Sequence, residues 1–509
     1  MSAGPDEQTS IGFLLESFAQ HRDRLAIRHS HGDWTYGDLL DRIYRTARVL
    51  QSQGLQRGDV VALLTGNEPE TFVLRHAANA LGCCVAVLYE GLATSLLTET
   101  LRTVSAAALV FDAHRHADQA RAALTQFPQA TGLALGSAAG VLDITAAAEL
   151  ESCEPLPVEA RTGDLSSIQF TGGSTGTPKG IPHDFHVPPY FSPGALQTWS
   201  DATQLLCTPV GHLGGTLAGV LLAAGGVVVL HEHFDAGEVL ASIERDRISY
   251  IWLQPRLLHQ LLDHPALAST DTSSLRSITL GGSASTPHRV DQAITRFGPI
   301  IAQGYGANEI GQITWLTADE HQRPELLTTV GRPVPSVDLT IREPDGTPTD
   351  RAGEIWVRGS GLMAGYYRQP EQTAEVLRDG WFHTGDLGFL DADGYLTIVG
   401  RSKEVILAAN GHVYPQAIED VLLRHPEVAD AVVFGVPDAD RDERVYAAVV
   451  MAAGSRMSEE DVIQWVSQER GAAYAPEVVV FLDELPRTGS QKPDRRGLRR
   501  SLSASIEPS

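Results

Sequence analysis

A chain of 509 residues exceeds one ordinary domain, so a large lobe with at least one smaller companion is expected. Its formal charge of −24 repels phosphate backbones and anionic lipid, which argues against nucleic-acid and membrane partners. With 43% hydrophobic and 20% charged residues, a disordered chain is excluded. One basic cluster, Arg495, Arg496, Arg499 and Arg500, stands against the acidic background.

The opening residues 1–10 are polar and lack a signal-peptide pattern. The longest apolar run, 217–230, is too short to span a bilayer. Cys83, Cys84, Cys153 and Cys207 show no metal-ligand spacing. A cytoplasmic protein with free thiols is therefore expected.

In chain order, a strand over 60–64 precedes a helix over 69–81, and the apolar run 81–88, with Cys83 and Cys84, reads as a buried strand. A strand over 166–170 leads into a glycine-rich loop. Asp235, with Glu238 three residues on, opens a helix over 237–245, and a strand over 249–253 follows. This alternation predicts α/β architecture with parallel sheets. From 331 to 400 the chain becomes rich in Gly, Asp and Pro, with short alternating strands over 354–358 and 395–399, predicting antiparallel sheet or a small barrel. After Lys403 an α+β pattern returns: helix 415–423, strands 429–436 and 445–451, helix 458–469. The expected organisation is a domain over 1–400, with a β-rich subdomain at 331–400, and a C-terminal α+β domain over 401–509 whose tail frays after Ser501. His231 and His233 flank Glu232, but alternation at a strand end explains them and no third ligand stands nearby in the sequence.

The strongest local signal is Thr171, Gly172, Gly173, Ser174, Thr175, Gly176, Thr177, Pro178, Lys179 and Gly180, directly after a strand. Glycines let the backbone approach an anion, while hydroxyls and Lys179 add donors and charge, so a phosphate cradle is the chemistry this composition suits. The spacing is not that of a Walker loop.

This loop resembles the signature of the adenylate-forming superfamily, which includes acyl- and aryl-CoA ligases, luciferases and peptide-synthetase adenylation domains. Further matches follow in the family's order from about residue 13 to 498. They are Thr208 to Gly215 around His212, Gly281-Gly282-Ser283-Ala284, and Gly304-Tyr305-Gly306-Ala307-Asn308-Glu309. Beyond these come Gly331-Arg332-Pro333, Gly353-Glu354, Gly365-Tyr366, Trp381 to Asp386, Gly394 to Arg401, and Leu485 to Lys492.

The resemblance implies ATP-dependent activation of a carboxylic acid as acyl-AMP, with pyrophosphate release and then acyl transfer to a thiol, or to an amine in the alternative of an amide synthetase. ATP and Mg²⁺, with CoA as co-substrate, are the implied small-molecule partners. Thr171, Gly172, Gly173, Ser174, Thr175, Gly176 and Lys179 would hold phosphates; Tyr305 would stack on or flank adenine, with Gly281 and Gly282 letting it approach closely, and Ser283, Gly304, Gly306 and Asn308 would also bind the nucleotide. Asp386 would accept both ribose hydroxyls and Arg401 would add a ribose or phosphate contact. Lys492 resembles the catalytic lysine, Glu309 the Mg²⁺ ligand and His212 a gate between acid pocket and acceptor tunnel. The C-terminal domain would be mobile, hinged at Lys403, with Gly411 lining the acceptor channel. Two residues depart from the pattern: Asn308 stands where Thr or Ser is usual, and Gln491 where Gly precedes the lysine. The acid pocket, expected around His212, Trp252, 281–284 and 306–313, holds no Arg or Lys for a second carboxylate, so a monocarboxylic, apolar or aromatic acid is expected. A nucleotide-binding module without turnover is disfavoured because Lys179, Glu309, Asp386, Arg401 and Lys492 are all present.

Overall fold

The computed structural model describes residues 8–171, 179–408, 411–437, 443–452, 454–488 and 492–503. The chain divides into two compact units, Met1–Thr279 with Met363–Thr373, and Leu280–Leu362 with Ala374–Ser509.

The first unit holds a seven-stranded sheet in the order Leu142–Asp143, Thr131–Leu135, Ala108–Asp112, Val60–Leu64, Cys84–Val87, Leu165–Thr171 and Lys179–Asp184. All pairs are parallel except the last, which is antiparallel. Val60–Leu64 and Ala108–Asp112 are buried at every position, so, up to the capping Asp112, they read as unbroken apolar runs rather than alternating ones. Each large apolar side chain so buried contributes about 1.5–3 kcal/mol. Helix Pro69–Ala80 starts on a proline at its first turn, and helix Ala113–Gln126 is capped by Asp112, which accepts the amides of His114 and Arg115.

A second set of strands in this unit runs parallel in the order Tyr250–Leu253, Thr203–Leu206, Val227–Leu230 and Leu25–His29, with Gly32–Thr35 antiparallel at the edge. The apolar run 217–230 resolves into helix Leu213–Ala223 and strand Val227–Leu230. Among the described residues no helix is long and apolar enough to cross a membrane. Helix Ala236–Arg245 begins where predicted, Asp235 accepting the Glu238 amide. All four cysteines are free, and burial pushes the Cys83, Cys84 and Cys207 thiols up to about 12, leaving them protonated and inert.

In the second unit, Ile301–Ala307 and Gly311–Leu316 form a hairpin, and Arg332–Pro333 pairs on its outer side. A five-stranded antiparallel sheet follows: Val337–Arg342, Gly353–Gly359 and Trp381–Leu390, with Leu377–Arg378 and Leu396–Arg401 both pairing onto Trp381–Leu390. Its core contains Ile355, Val357, Phe382 and Leu396. The α+β pattern after Lys403 is present as helices Pro415–Leu422 and Glu459–Arg470 against strands Val428–Pro437, Glu443–Met451 and Val478–Leu482. Two residues of the basic cluster serve internal pairing: Arg495 binds Glu419 of helix Pro415–Leu422 at 2.6 Å and Arg499 binds Glu443 of strand Glu443–Met451 at 3.0 Å, fastening helix Arg495–Ser503 to both.

Burial, reinforced by the Glu419 charge, raises Asp420 from 3.8 to about 7. The folded chain therefore retains a proton that the unfolded chain releases, and this contribution to stability is lost as pH rises through that window. Asp420→Asn should flatten the pH dependence of urea unfolding between those values, while the parent loses stability across it.

Candidate active site

Asp386 sits on strand Trp381–Leu390 directly opposite Arg401 on the neighbouring strand, and only 8% of it is exposed. One carboxylate oxygen accepts Arg401 Nε at 2.9 Å and the other accepts the Tyr305 hydroxyl at 2.7 Å. The Asp386 amide donates to Thr384 Oγ1 at 3.0 Å, and that hydroxyl donates to the Ile355 carbonyl at 2.8 Å. Both the side chain and its backbone are thus held in one orientation. The Asp386 charge holds Arg401 above its ordinary range. Burial, followed by the same charge, pushes the Tyr305 phenol well up, so it remains a hydrogen-bond donor. Each ionised carboxylate oxygen keeps a further lone pair, enough to accept two neighbouring hydroxyls of a ligand.

Tyr305 comes from the hairpin whose connecting turn carries Asn308, exposed, and Glu309, half-buried. The hairpin closes tightly at Gly306, where an added Cβ would stand 2.5 Å from the Gly311 carbonyl. Gly281 is buried, while Gly282 and Ser283 are exposed; Gly282 has φ of 83°, a conformation that disfavours any side chain.

Lys492 closes a second turn. Arg487 and Pro493 form an antiparallel bridge, and the Thr488 amide donates to the Lys492 carbonyl at 2.8 Å. Arg487 anchors the turn to Asp430 at 2.6 Å. The Lys492 side chain reaches solvent, yet the surrounding protein desolvates it and pushes its ammonium below the ordinary lysine range, with Arg401 acting in the same direction. Asp386, Glu404 and Glu309 oppose that shift. Five residues from four motifs, Tyr305, Glu309, Asp386, Arg401 and Lys492, therefore share one electrostatic neighbourhood. Lys403 is exposed on the short turn Ser402–Glu404 that follows Arg401, and Gly411 begins the strand Gly411–Val413.

In the first unit, Lys179 begins the strand Lys179–Asp184, its ammonium 4.9 Å from the centre of the Tyr366 ring. The Tyr367 amide donates to the Gly180 carbonyl at 2.7 Å, fixing that segment beside the strand. Thr171 ends the strand Leu165–Thr171; Gly172, Gly173, Ser174, Thr175 and Gly176 lie outside the described residues, as does Gln491. His212 precedes helix Leu213–Ala223 and stacks on Tyr89 with ring centres 4.9 Å apart and planes 16° from parallel. The Tyr89 hydroxyl donates to the Phe170 carbonyl. His231 is turned toward Ser242 Oγ, 2.9 Å away. Glu232 instead lies with His29, at the end of strand Leu25–His29, and His31, in the turn that follows, neighbours remote from it in the sequence.

A family profile described as AMP-binding enzyme matches residues 14–367, and one described as AMP-binding enzyme C-terminal domain matches 417–492. The chain belongs to the AMP-binding enzyme family. This AMP-binding enzyme is an adenylate-forming ligase, and it is 32% identical to a medium/long-chain-fatty-acid–CoA ligase of Mycobacterium tuberculosis over 96% of this chain and 89% of that one. It is also 32% identical to a feruloyl-CoA synthase of an Amycolatopsis species, over 92% of this chain and 94% of the relative. Among solved structures, the amide bond synthetase McbA from Marinactinospora thermotolerans shares 34% identity with a TM-score of 0.84, over 97% of this chain and all (100%) of that one.

For the AMP-binding enzyme, the cluster offers one fixed carboxylate for hydroxyls, two cations for phosphate or carboxylate oxygens, and the Glu309 carboxylate as a hard oxygen ligand. That donor set fits Mg²⁺, which prefers one or two carboxylates plus phosphate oxygens. Reading the sequence missed Glu404, whose charge bears on both Lys492 and Arg401, and Tyr89, which backs His212. Neither lies in a glycine-rich motif, and their partners are remote in the chain.

Proposed function

We propose that this enzyme condenses a carboxylic acid with ATP to form acyl-AMP and pyrophosphate, then transfers the acyl group to the thiol of CoA. In the first step a carboxylate oxygen attacks the α-phosphorus and pyrophosphate leaves; in the second the thiol sulfur attacks the acyl carbon, AMP leaves and the thiol proton passes to solvent. The observation that carries this reading is the clustering of Lys492 with Glu309, Asp386 and Arg401. Bringing two anions together is chiefly a problem of charge neutralisation and alignment, and this cluster has the charges for it.

In this reading Asp386 accepts the ribose hydroxyls, Lys492 steers the acid's carboxylate to the phosphate, and Arg401 adds a second cation. Glu309 holds Mg²⁺, which neutralises phosphate charge when bound. The loop from Thr171 to Gly176, with Lys179, cradles phosphates; Gly281, Gly282, Ser283, Gly304, Tyr305 and Gly306 border the base, and Asn308 donates to the AMP phosphate. His212 gates the acceptor path, and the segment 401–509 turns about Lys403 between the two half-reactions. Free thiols suit a reducing cytoplasm. A monocarboxylic, apolar or aromatic acid agrees with the fatty-acid and feruloyl specificities named for the relatives.

An amine acceptor is the second reading, favoured by the 34% identity to an amide bond synthetase. The test is incubation with ATP, Mg²⁺ and a panel of fatty and aromatic acids, offering CoA or amines, with pyrophosphate release and mass spectrometry as readouts. A CoA thioester is the expected product. Amide formation without thioester would transfer the assignment to the second reading, and no acid-dependent pyrophosphate release would defeat both.

A further inference from the structure

A group of metal-ligating side chains lies on the edge of the parallel strands in the first unit. Leu25–His29 runs parallel to Val227–Leu230, with Ile27 opposite Val228 and Arg28 opposite Val229. Following both strands to their ends brings the hairpin residues His29 and His31 beside Glu232. The hairpin is closed by pairing of His29 with Gly32, and its base is held by Arg28, which binds Asp33 at 2.9 Å and Asp246 at 3.0 Å. The two imidazole rings stand with centres 4.9 Å apart. One ligand atom from each of His29, His31 and Glu232 lies within 4.8 Å of the others.

We propose that His29, His31 and Glu232 form a three-ligand site for a divalent ion of the Zn²⁺ class, with water completing a tetrahedron. Two imidazoles and one carboxylate are a recurrent zinc donor set, and bonds of about 2.0–2.2 Å place tetrahedral ligands roughly 3.4 Å apart. The three side chains thus need to close by about an ångström. His31 and Glu232 are exposed and can do so by side-chain rotation. His29 Nδ1 takes the His31 amide at a long 3.3 Å, and its Nε2 is buried with no hydrogen-bond partner among the described residues. A metal on Nε2 would satisfy that orphan nitrogen; the ring proton moves to Nδ1 and only the weak amide contact is given up. The nitrogen-rich donor set suits Zn²⁺, Ni²⁺ or Cu²⁺ rather than Mg²⁺, which prefers oxygen, so this ion would not be the one that accompanies ATP. Bound there, it would staple the edge hairpin to Val227–Leu230.

The test uses the full chain without a histidine tag, stripped with EDTA and titrated with Zn²⁺ by calorimetry, with thermal unfolding as second readout. One equivalent should bind with micromolar or tighter affinity and raise Tm, while Mg²⁺ alone should do neither. His31→Ala and Glu232→Gln, both at exposed positions, should each weaken Zn²⁺ by about tenfold or more. His233→Ala should leave binding intact. Absence of a one-equivalent site, or its survival in the His31→Ala/Glu232→Gln double variant with an unchanged circular dichroism spectrum, would overturn the proposal.

Discussion

Replacing Lys492 with alanine should slow acid-dependent pyrophosphate release by about 10²–10³-fold, the usual cost of removing one preorganised group that stabilises developing charge. Transfer from a supplied acyl-AMP to the acceptor should change by no more than a few-fold, because the proposed role of Lys492 ends once the adenylate forms. That split separates a chemical role from a folding defect, which would damage both half-reactions equally. The environment of Lys492 adds a pH signature. Desolvation and Arg401 lower its affinity for a proton, so the charged form the reaction needs is lost at a lower pH than for a free lysine, near 10.4. Adenylation should therefore decline with rising pH on a limb below that value. Glu404→Gln removes one acid that holds the proton on and should move the limb further down. Equal pyrophosphate release by Lys492→Ala and parent enzyme would remove Lys492 from the mechanism.

Asp386→Ala should raise the KM for ATP by about 10–100-fold, corresponding to roughly 1–3 kcal/mol for the loss of a charged hydrogen-bond acceptor. The variant also leaves Arg401 and Tyr305 without their shared acceptor, so some loss of stability should accompany it. Nucleotide analogues distinguish the two effects. The parent should discriminate strongly against 2′,3′-dideoxy-ATP, whereas the variant should use ATP and the dideoxy analogue about equally. Tyr305→Phe preserves the Asp386–Arg401 pair and should retain the discrimination. If the alanine variant still prefers ATP over the analogue, ribose is recognised elsewhere.

Much of the architecture was legible from residue order because its causes are local. Val60–Leu64 is an unbroken apolar run and Pro69–Ala80 carries its proline at the first turn, so strand and helix follow from a few neighbouring residues. Asp235 announces its helix through a cap three residues long. The change to antiparallel sheet after 331 was visible as glycine, aspartate and proline punctuating short strands. The chemical inventory was equally visible: a hydroxyl-glycine loop, a carboxylate after Thr384-Gly385, and a lysine after Thr488.

Which of those groups meet is a different matter, settled by strand register and chain closure over long separations. Asp386 faces Arg401 because their strands pair at that register, and a slip of one residue would turn every side chain of one strand to the other face. Glu404 bears on Lys492, and Tyr89 backs His212, across intervals in which no periodicity links one residue to the other. Glu232 shows the point most sharply. Its sequence neighbours His231 and His233 are of ligand type, but just past the end of strand Val227–Leu230 His231 stands beside Ser242, and a hairpin some 200 residues away in the chain places His29 and His31 next to Glu232 instead. Residue order thus set the kinds of elements and the stock of reactive groups, since backbone propensity and turn chemistry act over a few residues; the folded sheets alone determined which charges share a site, since pairing depends on contacts no local pattern encodes.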